Sequence, residues 1–248
     1  MTDRWGEVAG QYLTSQWHSN EEALQKLIGI VQPEGGLILD VGTGAGHTAF
    51  AFAPFVDGVV AYDSSQGMLN VAMQEAERRG IKNFETKLGD AHDLPFADGT
   101  FNGIVTRCAA HHFKNPRTFL SEAFRSLKPG GWFLLVDTVG IEEPDDDEIL
   151  DTIERLRDPT HVRNLTIETW LQLAAEAGFE REKIETHAKP LNLKEWLDRQ
   201  NTPPAERARV EQLIAQATGS LKEYLNPFGT GDDRVFHLRE AAILFRKP

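Results

Sequence analysis

Short apolar runs alternate with segments of helical period along most of the chain. LILDV, at Leu37–Val41, is an apolar run broken only by an acid near its end, the pattern of a strand buried on both faces. GVVAYD (58–63), FNGIVTR (101–107) and WFLLVDTV (132–139) repeat that pattern, and NFETKLGD (83–90) is a more polar version of it. Helices are predicted between these runs. Ser64 or Ser65 caps one that runs to Arg79 and stops at Gly80. NPRTFLSEAFRSLKPGG predicts another, with Asn115 as cap, Pro116 in the first turn and a Lys-Pro-Gly-Gly exit. Strands separated by helices pair in parallel through right-handed crossovers, which predicts a doubly wound α/β sheet.

The last third is less regular. IEEPDDDE reads as a solvated acidic connection beyond the fifth strand. Thr166 caps a helix through ETWLQLAAEAGF that ends at Gly178, and EREKIETHAKP follows as an outer strand. Residues 191–231 are helical and amphipathic, with a break at 201–204. They read as an insertion, too short and interrupted for a large core of its own, within one domain spanning 1–248. RVFHLREAAILFRKP closes the chain as one or two strands.

Composition narrows the function classes. A chain of 248 residues, 40% of them hydrophobic, can bury a sizeable core. A formal net charge of -12 argues against a nucleic-acid partner, because phosphate binding needs a basic face. Cys108 is the single cysteine, which excludes an intrachain disulfide and a multi-cysteine zinc site. The eight histidines show no paired metal-ligand spacing, so no metal site is expected. The first twenty residues lack the apolar core of a signal peptide, and no apolar run has the length of a membrane span. A cytoplasmic protein is expected.

Gly42, Gly44 and Gly46 stand at the turn after the first strand, preceded by Asp40. Glycines at such a turn let a ligand touch the backbone, and the turn aims free amides at it. The dinucleotide fingerprint would put its third glycine where His47 stands, and an imidazole there would crowd a pyrophosphate. Asp63 ends the second strand about twenty residues after the first glycine, where a carboxylate can accept from both ribose hydroxyls; it is also placed to cap a helix. Asp90, in GDAHDLPF, can accept from the exocyclic amine of adenine or serve as a turn residue.

In order and spacing, LDVGTGAG, VVAYDSS, GDAHDLPFADGTFNGIV and HHFKNPRTFLSEAFRSLKPGGWFLLVD resemble the class I S-adenosylmethionine-dependent methyltransferases, over residues 37–137. The LPF-D-TF and HHF-NP stretches are similar to the group that includes the ubiquinone and menaquinone biosynthesis C-methyltransferases. The resemblance implies a Rossmann-like sheet of seven strands, mostly parallel with the last antiparallel, which suits the terminal AAILFRKP. It also implies S-adenosylmethionine as cofactor, and roles for particular positions. Gly42 and Gly44 would lie against its amino-acid part, in a turn completed by Thr43 and Gly46, with Asp40 supporting the ammonium through that turn. Asp63 would hold the ribose, and Ser64 and Met68 would border the adenine. Asp90 would take the adenine amine, the Ala91 amide the ring nitrogen, and the Thr106 carbonyl the cofactor ammonium.

Methyl transfer from a sulfonium is an in-line displacement, so alignment and desolvation carry much of the rate. A base is needed only when the acceptor must lose a proton. His111 and His112, beyond the fourth strand, are the nearest candidates, and His161, in RDPTHVRN, belongs to a connection that should overhang the site. Of these, His111 and His161 are the expected catalytic pair, facing each other across the methyl group. Three segments outside the central motifs, at about 1–20, 142–165 and 191–231, are expected to form a cap over the carboxyl ends of the strands. Trp5, Tyr12, Trp17, Trp196 and Tyr224 in them suggest a small apolar or planar acceptor, and Arg157 and Arg163 could receive a carboxylate or phenolate. Two other classes stay open at this point. A nicotinamide-dependent oxidoreductase is disfavoured by the missing third glycine, and a non-catalytic S-adenosylmethionine-binding regulator would carry the same motifs.

Overall fold

The computed structural model describes residues 3–13 and 19–248, so Trp17 and His18 lie outside the described residues. The five sequence-predicted strands are present as β1 (Leu37–Val41), β2 (Gly58–Asp63), β3 (Phe84–Leu88), β4 (Phe101–Arg107) and β5 (Leu127–Thr138). The outer strand is β6 (Glu180–Asn192), and the chain terminus is one long strand, β7 (Val235–Arg246). They form a single seven-stranded sheet in the order β3-β2-β1-β4-β5-β7-β6. β1 to β5 pair in parallel, and β7 runs antiparallel to both β5 and β6. This is the Rossmann-like arrangement that the sequence predicts.

Alternate side chains of each central strand point to opposite faces, and the two faces have separate cores. Leu39, Val60, Ile104 and Phe133 pack with α5 (Pro116–Ser126) and α7 (Ile167–Ala177) through Phe119, Leu120 and Trp170. Ile38, Val59, Val105 and Leu134 pack on the other face with α2 (Glu21–Val31) and α3 (His47–Phe52). α4 (Gln66–Arg79) lies beside α3, with Ala72 and Ala76 against Phe50. The caps follow local chemistry: Asn115 and Thr166 accept from the amides of Thr118 and Thr169, and Gly80 and Gly178 close their helices in the left-handed region. Of the two serines before α4, Ser65 is the cap, its Oγ accepting from Met68 N at 3.1 Å.

One feature differs from the sequence reading and two add to it. IEEPDDDE is not a solvated connection; it opens the 14-residue helix α6 (Pro144–Arg157). Pro144 suits the first turn and Asp145, Asp146 and Asp147 oppose the positive helix end, while Leu150 and Ile153 supply a buried stripe. The acids masked that apolar period. Second, α1 (Arg4–Leu13) and α2 precede the sheet, α2 being capped by Asn20. Third, residues 191–231 contain α8 (Leu193–Asp198), α9 (Pro204–Ala215) and α10 (Gly219–Leu225), which pack on α6 and β7 in a third apolar cluster. Trp196, Val210, Tyr224 and Phe236 belong to it, so the insertion shares its core with α6. Among the described residues no helix is long and apolar enough to cross a membrane.

Candidate functional site

The strand order reverses between β1 and β4, and such a switch point leaves a crevice at the carboxyl ends of the strands. The turn after β1 enters it. Gly42 has φ +70°, and a Cβ there would stand 2.4 Å from Cβ of Ala109, so a side chain would wedge β1 from the segment after β4. Gly44 has φ +53°, and nothing lies within 4 Å of the place its Cβ would take. The space beside it is the crevice. Gly46, at φ +90°, caps α3 from below the turn, against the ring of Phe50.

Two carboxylates fix this turn. Asp40 is buried; its Oδ2 accepts from Thr43 Oγ1 at 2.7 Å and from Ala49 N at 3.1 Å, tying the turn to α3. Burial pushes its pKa up to about 7, against those two hydrogen bonds and with help from the Asp63 charge. Asp63 accepts from Gly44 N at 2.8 Å and from Ser65 N at 2.9 Å. Burial raises its pKa too, despite the amides it receives.

The turn borders a cavity of about 610 Å³. Asp63, Ser64, Met68, Asp90 and Ala91 line one end of it. The Asp90 carboxylate is 70% exposed and accepts from the His92 backbone amide at 2.9 Å. Of the expected positions, Gly42, Thr43 and Gly44 reach the cavity, whereas Asp40 and Gly46 stand behind it. Thr106 does not reach it either. It is buried in the ladder opposite Leu135, and Arg107, Cys108 and Ala109 line the cavity in its place.

His111, His112 and His161 line the same cavity. His111 Nδ1 stands 2.6 Å from Asp137 Oδ1, and the same carboxylate accepts from the His111 amide at 3.0 Å. Nδ1 is thereby the protonated nitrogen, and Nε2 is left without a hydrogen-bond partner among the described residues. Burial disfavours the imidazolium, but the Asp137 charge outweighs it and the His111 pKa is raised. His112 donates Nδ1–H to the Thr160 carbonyl at 3.0 Å, and burial together with the neighbouring His111 lowers its pKa to about 3. His161 pairs with Asp151 at 2.8 Å, its ring centroid 5.6 Å from that of His111. The two expected histidines therefore stand ring to ring, too close for a methyl group and its acceptor to lie between them. Their partners, Asp137 and Asp151, went unassigned in the sequence. Asp137 ends a buried strand, the same signal that singled out Asp40 and Asp63.

Trp5 and Tyr12 from α1, Arg157 from the end of α6 and Trp196 from α8 line the cavity. Two expected acceptor residues are elsewhere. Arg163 is drawn to the buried acids of α6, at 2.8 Å from Asp147 and 3.6 Å from Asp151. Tyr224 is core: its hydroxyl donates to the Val139 carbonyl at 2.6 Å and accepts from Arg239 N at 3.1 Å. Arg199, which the sequence reading passed over, lines the cavity instead.

Comparison with known proteins decides the family. The methyltransferase domain profile matches residues 39–135. The structure of YcgJ from Bacillus subtilis superposes with a TM-score of 0.87 at 31% identity, over 91% of this chain and 98% of that one. The chain belongs to the class I S-adenosylmethionine-dependent methyltransferases. By sequence, the uncharacterized methyltransferase YcgJ is 44% identical over 54% of this chain, a stretch that spans about half, 53%, of that relative's length. The uncharacterized protein YafE of Escherichia coli is 41% identical over 72% of this chain and 86% of its own. The narrower similarity is present as well: demethylmenaquinone methyltransferase of Symbiobacterium thermophilum is 42% identical over 42% of this chain and 43% of its own. S-adenosylmethionine is the cofactor of this methyltransferase family, and the cleft residues suit it. The open side of Gly44 admits a ligand against the backbone, and Asp63 and Asp90 offer acceptors beside apolar Met68 and Ala91.

Proposed function

We propose that this methyltransferase passes the methyl group of S-adenosylmethionine to a small apolar or planar acceptor held under the cap. The observation that carries the reading is one continuous cavity that joins the glycine turn, Asp63 and Asp90 to the His111–Asp137 pair. In it, Gly42, Thr43 and Gly44 would cradle the amino-acid part of the cofactor, with Asp40 and Gly46 holding the turn from behind. Asp63 would accept from the ribose hydroxyls, Asp90 from the adenine amine, and Ser64, Met68 and Ala91 would enclose the ring. The ammonium would lie near the end of β4, at Arg107 to Ala109 rather than at Thr106. The cofactor supplies an electrophilic methyl on a sulfonium.

The chain's own contribution is to orient the acceptor, exclude water and move one proton. His111 would take the acceptor proton on Nε2 while Asp137 holds Nδ1–H and stabilises the imidazolium that forms. His161, braced by Asp151, would stand behind it as a second wall of the acceptor site. Aromatic Trp5, Tyr12 and Trp196 favour a planar body. Calorimetry with S-adenosylmethionine and with NAD tests the cofactor, and transfer of labelled methyl from S-adenosylmethionine to a cell metabolite extract tests turnover. Saturable binding with no labelled product would leave a regulator in place of an enzyme.

A further inference from the structure

The acidic chain, net charge -12, turns cationic at one place inside its cavity. Arg107, Arg157, Lys189 and Arg199 all line it. The first and third face Glu240, whose pKa they and His187 hold down to about 2 in spite of burial. Arg157 is fixed from one side: Nε donates to the Trp196 carbonyl at 3.1 Å, and the guanidinium lies 4.6 Å from the centre of the Trp196 ring. Asp158, next to it in the chain, feels its charge. Asp158 already accepts from the amide and hydroxyl of Thr160 and from Gln200 Nε2.

Arg199 is different. Its guanidinium makes no hydrogen bond or ion pair with any described residue, although the side chain is only partly exposed. Burial, and then the charge of Arg157, hold its pKa below the ordinary value, so the two guanidinium groups are close enough to repel. Tyr12, half-buried, feels both of them, with Gln200 Nε2 donating to its hydroxyl at 2.8 Å. Arg199 follows Trp196 by one helical turn at the end of α8, and Arg157 is stacked on Trp196, so both cations belong to one wall of the cavity, where an anion would relieve their repulsion. Planar guanidinium forks match a carboxylate in particular.

We propose that the methyl acceptor is a carboxylate, seated between Arg157 and Arg199, with its planar body against Trp5, Tyr12 and Trp196. The assignment rests on the methyl-transfer reading above. It replaces Arg163, which Asp147 and Asp151 occupy, by Arg199 from the insertion. The cap then selects the acceptor by charge as well as by shape: an uncharged analogue would leave both guanidinium groups unanswered.

A carboxylate could also come from the cofactor's own amino-acid end, and the test separates the two sources. Thermal shifts are recorded on the protein saturated with S-adenosylhomocysteine, with 1-naphthoate or 1-naphthamide as probes. Wild type is expected to rise in melting temperature with naphthoate and not with naphthamide. Arg199→Met should bind naphthoate at least tenfold more weakly and Arg199→Lys by less, with S-adenosylhomocysteine affinity within twofold of wild type in both. Equal responses to the two probes, or an undiminished naphthoate response in Arg199→Met, overturn the proposal. A tenfold loss of S-adenosylhomocysteine affinity in Arg199→Met also overturns it, because the anion would then be the cofactor's. If wild type binds neither S-adenosylmethionine nor S-adenosylhomocysteine, the failure belongs to the methyl-transfer reading instead.

Discussion

His111 and Asp137 meet by both a side-chain and a backbone contact: one carboxylate takes Nδ1–H at 2.6 Å and the His111 amide at 3.0 Å. The ring therefore has a fixed tautomer and a fixed direction. β4 and β5 are neighbours in the sheet, so the pair is set by two adjacent strand ends. If His111 takes the acceptor proton, His111→Ala should lower turnover by about 10² to 10⁴ with cofactor affinity nearly constant. Turnover that stays near wild type would reduce His111 to a wall of the site.

The same pair predicts a pH dependence. A base must be neutral to act, and Asp137 raises the His111 pKa, so kcat/KM should climb through a limb lying above the ordinary imidazole range. Asp137→Asn removes the charge that outweighs burial, and the limb should move to lower pH while the maximum falls. A pH–rate profile of the two proteins measures this; a limb that stays in place would mean that another group titrates.

At the nucleotide end, Asp63→Ala should weaken S-adenosylmethionine binding by about 1.5 to 3 kcal/mol, the scale of hydrogen bonds to a charged group. Asp90→Asn should cost less, because that carboxylate is 70% exposed and already receives His92. Isothermal titration of both folded variants gives the order, and the reverse order would put the nucleotide elsewhere.

Asp40 ties stability to pH. Burial pushes its pKa up to about 7 in the folded protein from the ordinary 3.8, so between these the folded state holds a proton that the unfolded chain has released. Its contribution is present below the unfolded value and is lost as pH rises from about 4 to 7, by about 4 kcal/mol in all. Asp40→Asn lacks this loss. In denaturant titrations of the cofactor-free protein, the stability of Asp40→Asn relative to wild type should increase steadily over that range. A difference that is flat with pH would sink the assignment.

Tyr224 gives a control outside the cavity. Tyr224→Phe leaves the buried Val139 carbonyl without its donor, which should cost about 1 to 3 kcal/mol of stability. Cofactor affinity should be unchanged, since the hydroxyl holds α10 to the sheet. A change in affinity measured by calorimetry would return Tyr224 to the acceptor site.

Much of the site was legible because its positions are local. The glycines need only the strand before them and the helix after them, and Asp63 needs only to end the next strand. Thr106 does not line the cavity because it pairs with Leu135 within the ladder, and that pairing is set by the partner strand and not by the run itself. Arg163 and Arg199 could not be told apart in sequence. One lies in an irregular connection and the other at a helix end, positions that say nothing of the cavity, and only the approach of Asp147 to one of them distinguishes their roles.

The sequence by itself determined the strands, their parallel pairing and the glycine turn, because apolar period and turn chemistry act over a few residues, and four motifs in order carried the resemblance to the family. Tertiary structure decided what those distances cannot reach. It folded the acidic run into α6 by burying Leu150 and Ile153 against the insertion, and it brought Asp137 to His111 across 26 residues. It also left Arg157 and Arg199, 42 positions apart, sharing one cavity, as Arg157 and Trp196 do at 39. Charge and hydrogen bonding over such separations depend on how the cap settles onto the strand ends, and the packing of α6 and α8 fixes that.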